Sequence, residues 1–140
     1  LLVQRMVKEL NRPGRAAGAG FYDYANGKKL QLWSGLKTEF ENTTVAWDIA
    51  TLKDRILYRQ AVETARCLSE GVLSSVHDGN IGSIFGIGFP AWTGGALQFI
   101  YSMGVDAFAK RVTELAQSCG PRFALTDEVI ACLKKHQPIY

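Results

Sequence analysis

The 140 residues, 47% hydrophobic and 21% charged, form an ordinary globular composition, long enough for one domain with a core and short for two. Sixteen basic and 13 acidic residues are interspersed at a net charge of +3, which argues against a nucleic-acid partner, and no apolar run reaches the roughly 20 residues of a membrane span. Cys67, Cys119 and Cys132 are widely spaced with no C-x-x-C and only His77 and His136 to assist, which argues against a zinc site or a disulfide framework and favours a reducing, cytoplasmic setting.

In chain order, LLVQRMVKEL places Val3, Met6, Val7 and Leu10 at helical spacing, with Pro13 and Gly14 as the stop. GRAAGAGFYDYANGKK reads as an irregular turn segment around Phe21, Tyr22 and Tyr24, and LQLWSGL as a further apolar turn. Glu41 to Thr44 is the most polar gap of the first half and the expected flexible connection. From about Leu52 to Gly71, Leu57, Tyr58, Ala61, Val62, Ala65, Leu68 and Val72 fall on one arc, while Arg55, Arg59, Glu63, Arg66 and Glu70 line the other side. This is an amphipathic helix with a solvated charged face and Gly71 at its end. Asp54 falls on the apolar arc, either near the frayed helix start, where the helix dipole favours it, or facing a polar cleft; the first is the less costly explanation.

Ser74 or Ser75 caps the next helix, with Asp78 in its first turn, Ile81, Ile84 and Phe85 inward, and Gly86 and Gly88 at its end. Phe89-Pro90 imposes an extended step. Leu97, Phe99, Ile100 and Met103 mark a third helix reaching Gly104, and Phe108, Val112, Leu115 and Cys119 a fourth, closed by Gly120 and Pro121. Thr126 begins a fifth, with Asp127 and Glu128 at its positive end and Lys134, Lys135 and His136 at its negative end. With no sustained period-2 alternation, the expected fold is all-α: a bundle of about five helices led by an irregular, aromatic and glycine-rich arm. The expected layout is a single helical domain over 1–140, with helix and arm in 1–44 and the helical core in 45–140.

Neither glycine cluster has the G-x-G-x-x-G spacing of a dinucleotide loop. Residue 91, where the run from Gly86 would need its third glycine, is alanine, and Gly14, Gly18 and Gly20 are spaced G-x-x-x-G-x-G. Their expected role is to turn and pack helices, with Gly94 and Gly95 clearing space for a close crossing. His77 and His136 sit at helix ends, where structural roles suffice, and the carboxylates form no legible acid/base pair. No catalytic, cofactor-binding or metal-binding residue is therefore assigned.

Taken together, GRAAGAGFYDY, NGKKLQLWSGL, RILYRQAVETARCLSEGV, FGIGFPAWTGGALQFIYSMG and GPRFALTDEV resemble the C-terminal helical region of the 3-hydroxyacyl-CoA dehydrogenases, and more narrowly the last repeat of the multifunctional fatty-acid β-oxidation enzymes. The resemblance implies a fold like the C-terminal domain of 6-phosphogluconate dehydrogenase. It also implies a longer polypeptide that joins an enoyl-CoA hydratase module, a Rossmann module binding NAD, and two helical repeats. The chain's opening on Leu1 fits such a piece. In the family, the histidine and glutamate that oxidise the hydroxyl lie on the Rossmann module, so this chain is expected to bind no NAD itself. The first repeat supplies an active-site asparagine in an N-R-x-L context. Here the matching stretch is Asp54-Arg55-Ile56-Leu57, and an ionised aspartate cannot donate an amide hydrogen bond. Where the first repeat tends to read G-x-P-M-G-P, this chain has Gly88 to Gly94 as GFPAWTG, which also favours the second repeat.

The implied partners are the preceding repeat, the Rossmann module and, through the parent, acyl-CoA substrate. Self-association of the fragment as a dimer stays open. The expected docking surface is the apolar region around Phe89, Trp92, Phe99 and Tyr101. Two rivals remain at this level: a stand-alone helical interaction module, and direct binding of acyl-CoA by Arg55, Arg59 and Arg66.

Overall fold

A computed structural model describes residues 2–41 and 48–138. The chain divides into two compact units, Leu1–Ala46 and Trp47–Tyr140. Among the described residues there are seven α-helices, three short 3-10 turns and one two-stranded sheet, in keeping with the expected all-α class.

The first unit contains α1 (Leu2–Lys8), β1 (Tyr22–Ala25), β2 (Lys28–Leu32) and α2 (Gly35–Phe40). The hairpin corrects the reading of this stretch as irregular turn. Asn26 and Gly27 both adopt positive φ, 51° and 71°, between the paired residues Ala25 and Lys28. Such a two-residue turn matches the right-handed twist of antiparallel strands, and Asn-Gly is its favoured sequence. LQLWSGL is likewise split, its first half completing β2 and its second half starting α2.

α1 ends five residues before Pro13, and only Met6 on it is buried; Val3 and Val7 face solvent. The centre of this unit is Arg12. Its guanidinium lies 4.4 Å over the Trp33 ring and pairs with Asp23, and its Nε donates to the Gly20 carbonyl at 2.8 Å. The glycine cluster folds around it: Gly14 N donates to Ala19 O at 2.7 Å, and a Cβ on Gly20 would come within 3.0 Å of Gly14 Cα. These glycines close a loop tightly.

The second unit is a five-helix bundle: α3 (Ile49–Ser69), α4 (Val76–Ile87), α5 (Ala96–Met103), α6 (Val105–Cys119) and α7 (Asp127–Lys135). α3 starts at Asp48, whose Oδ2 accepts from Thr51 N at 2.9 Å, and Gly71 takes a left-handed φ of 73° just past its end. Tyr58, Ala61, Val62, Ala65 and Leu68 are buried as the helical arc requires, against Leu97, Ile100, Phe108 and Val112 of α5 and α6. Tyr58 stacks on Phe108 at 5.3 Å and meets Phe99 edge-on at 5.3 Å. Val72, placed by periodicity on the same arc, lies beyond the helix and is 69% exposed.

α4 departs from its expected orientation: of Ile81, Ile84 and Phe85, only Ile84 is half-buried. Ser75 caps it through a 3.1 Å bond from Asp78 N, but the buried residues are Gly79 and Ser83, while Ile81 and Phe85 point to solvent. Size decides the face. A Cβ on Gly79 would sit 2.6 Å from Leu97 Cδ1, so only the small side of α4 can approach α5 this closely. Ser83 Oγ then accepts from Ala96 N at 2.9 Å, and Asn80 Oδ1 from Gln98 N at 2.8 Å, satisfying amides at the start of α5.

The polar gap predicted at 41–44 falls mostly outside the described residues; Glu41 alone is described, as the C-cap of α2.

Candidate functional site

Three surfaces of the second unit carry the residues singled out from sequence. The first is the charged side of α3. Glu63 accepts from both Arg59 and Arg66, one turn to either side of it. The same guanidiniums reach the 3-10 turn Pro121–Phe123: Arg59 Nη1 donates to Arg122 O at 2.8 Å, and Arg66 Nη2 to Ala124 O at 2.7 Å. Burial works to raise the Glu63 carboxyl, but the two arginines outweigh it and hold the group below its ordinary value. The face predicted to be merely solvated thus ties α3 to the segment leading into α7. Periodicity shows which side such residues face but not which carbonyls stand opposite.

The second is Asp54. It lies in the second turn of α3, beyond the capped start, and accepts from Arg111 Nη2 of α6 at 2.8 Å, with Glu114 on the other side of that guanidinium at 3.0 Å. The fraying explanation is therefore corrected: Asp54 is one half of an ion pair between helices. Burial raises the nearby Tyr58 hydroxyl, with the Asp54 charge acting in the same direction.

The third is apolar. Of the four residues expected to form a docking surface, Phe89 and Tyr101 are buried and Phe99 packs partly buried against Tyr58 and Phe89; Trp92 alone stands out, 83% exposed. Tyr101 is a core residue whose hydroxyl donates to Leu133 O, and burial pushes it up to about 12. Besides Val72, the exposed apolar groups expected to face inward are Phe85, also 83% exposed, and Ile81 one turn before it on α4.

The remaining candidates do not converge. His77 is exposed near the start of α4, and His136 caps α7 with Nδ1 2.9 Å from Cys132 O. The three cysteines are unbridged, and no group of three His, Cys, Asp or Glu side chains suited to a metal occurs among the described residues. The glycine clusters lie between α1 and β1 and between α4 and α5, so neither joins a strand to a helix as the dinucleotide fingerprint requires. Gly95 instead allows close packing: a Cβ there would meet Asn80 Cα at 2.5 Å. No helix among the described residues is long and apolar enough to cross a membrane.

Among curated proteins, the chain is 35% identical over 124 residues to fatty acid oxidation complex subunit alpha of Vibrio cholerae, an alignment covering 86% of this chain and 17% of that protein. It is homologous to a segment of that subunit. The subunit alpha of Vibrio vulnificus gives 35% over 122 residues, and that of Shewanella loihica 31% over 137 residues, covering 93% of this chain. No family model matches. The chain thus spans less than a fifth of the length of these alpha subunits. The likeness drawn from the GFYDY and GFPAWTGG blocks to a multifunctional β-oxidation enzyme agrees with these relatives.

Proposed function

We propose that the chain is the second C-terminal helical repeat of an NAD-dependent 3-hydroxyacyl-CoA dehydrogenase within a multifunctional fatty-acid β-oxidation enzyme. The alignment with the alpha subunits over most of the chain supports this reading most directly. The enzyme moves hydride from C3 of a 3-hydroxyacyl-CoA to NAD, and the cofactor and the base belong to the Rossmann module. The setting is cytoplasmic. This chain contributes shape and support.

Two observations favour the supporting role. Asp54, at the position matching the active-site asparagine of the first repeat, is committed to Arg111, and so holds two helices together where the first repeat presents an amide to substrate. The helical unit also keeps Ile81, Phe85 and Trp92 on its outside, apolar groups that a domain standing alone gains nothing by exposing. The preceding repeat is their partner, in the way two subunits of the simpler dehydrogenases pack.

The test is an affinity measurement between the 140-residue chain and the rest of its parent polypeptide. Trp92→Glu with Phe85→Glu places two charges in the contact and should weaken binding about a hundredfold or more, while the chain keeps its unfolding transition because both side chains are solvent-facing. Equal affinity of the variant and the original chain rejects this docking surface.

A further inference from the structure

We propose that Asn26, at the tip of the β1–β2 hairpin, is a covalent modification site where the chain converts its own asparagine to aspartate and isoaspartate and so opens the hairpin. The reaction is intramolecular and consumes only water. The Gly27 amide nitrogen attacks Asn26 Cγ, forming a C–N bond and a succinimide ring, and the side-chain nitrogen leaves with the amide proton as ammonia. Water then cleaves one of the two ring C–N bonds. One opening gives aspartate; the other gives isoaspartate, whose main chain runs through the former side chain.

The step requires that the residue after the asparagine be uncrowded, that its amide be unengaged and that water reach both. Asn26 meets every condition. Of the asparagines in the chain, it alone is followed by glycine. Residues 25–28 are exposed, and a Cβ placed on Gly27 would meet nothing within 4 Å. Gly27 N donates to no acceptor among the described residues. Asn11 has the same φ of 51°, but the amide that follows it, Arg12 N, is committed to Met6 O at 2.8 Å. Asn80 precedes Ile81, whose branched Cβ crowds the nitrogen, and its own Oδ1 accepts from Gln98 N at 2.8 Å. Asn42 precedes the equally branched Thr43.

Attack requires the turn to open briefly, because positive φ at both central residues is held by the pairing of Ala25 with Lys28. That hold is weak at this end. A two-stranded hairpin has marginal stability of its own, and all of β2 is exposed, so the tip opens far more readily than the helical core. The product then disfavours reclosure. Isoaspartate adds a main-chain carbon to a loop whose length and twist suit two residues, so Lys28 no longer falls opposite Ala25. Arg15 holds Gly27 O through Nε at 3.0 Å and Nη2 at 2.7 Å, and it borders the same surface hollow as Asn26. The new carboxylate gives that guanidinium a charged acceptor in place of the carbonyl. Net charge falls from +3 to +2, since a neutral amide becomes an anion.

Incubating the 140-residue chain at neutral pH and physiological temperature, with peptide mapping by mass spectrometry, tests the proposal. The Asn26 peptide should gain about 1 Da. It should do so about tenfold faster, or more, than the Asn11 and Asn80 peptides. A less cationic fraction should accumulate in step on ion exchange, and its β1 and β2 amides should exchange with deuterium about tenfold faster than in fresh protein. Asn26→Asp introduces the charge without the extra main-chain carbon, and its hairpin amides should exchange as in fresh protein. The free peptide YDYANGKKLQL gives the unrestrained rate, and the chain should come within about tenfold of it. A slower chain than that, equal rates at Asn26, Asn11 and Asn80, unchanged hairpin exchange after conversion, or equal loosening in Asn26→Asp each overturns it.

Discussion

Glu63 shows how little of a residue's role its sequence neighbours reveal. Its i,i+4 and i,i+3 arginines are legible as surface pairs worth a few tenths of a kcal/mol each. In the folded chain those arginines also donate to the Arg122 and Ala124 carbonyls, so the carboxylate orients two guanidiniums that hold another segment. The folded Glu63 carboxyl lies below the ordinary 4.5, so the folded state binds this proton less readily than the unfolded chain. Its contribution is present above 4.5 and is lost as pH falls through the lower folded value. Glu63→Gln should therefore destabilise the chain at neutral pH and lose that deficit in acid below the folded value. Urea unfolding of both proteins across that range checks it, and a deficit that stays constant with pH would show that the charge is not the cause. Asp54 teaches the complementary lesson: its position on the apolar arc was visible, whereas Arg111 lies 57 residues away and no local pattern names it.

At the scale of elements, side-chain size overrides hydrophobicity on α4. Counting apolar residues directs Ile81 and Phe85 inward, but the side of α4 that meets Leu97 is so close that even a Cβ at Gly79 would press on that leucine, so the small residues take this face and the large groups turn outward. A pair of glycine substitutions separates the two uses of glycine. Gly95→Ala would drive a Cβ to 2.5 Å from Asn80 Cα at a φ of 114°, and should cost about 2–4 kcal/mol in strain and displaced packing. Gly82→Ala, in open space within the helix, should gain about 0.5–1 kcal/mol. Denaturant midpoints distinguish them, and equal effects at the two sites would refute the close-packing account. The long helix with its Gly71 stop and the helices from Ala96 to Lys135 were legible because each has its own periodic face and stop signal, whereas the Asp48 cap, which starts α3 at Ile49 rather than near Leu52, was not. The hairpin was missed although Asn26-Gly27 announced it, because its strands are short and every residue of β2 is exposed, so neither strand alternates between buried and exposed positions.

For the whole molecule, core and surface make opposite statements. The five-helix unit is filled by Leu97, Ile100, Phe108, Val112 and Leu133, all at or near zero exposure, so it does not lack a core. It nevertheless leaves an indole and a phenyl ring largely in water, and the alpha subunits it resembles are more than five times its length. The proposed role, a repeat that supports a dehydrogenase without carrying the reaction, accounts for both. The direct measurement is the rate of NAD reduction from a 3-hydroxyacyl-CoA as the 140-residue chain is titrated into its parent polypeptide truncated to lack it. The account predicts negligible turnover by the chain alone and a rate that rises to saturation as the chain is added. Turnover by the chain alone, or a truncated parent already at full rate and indifferent to the addition, would contradict it.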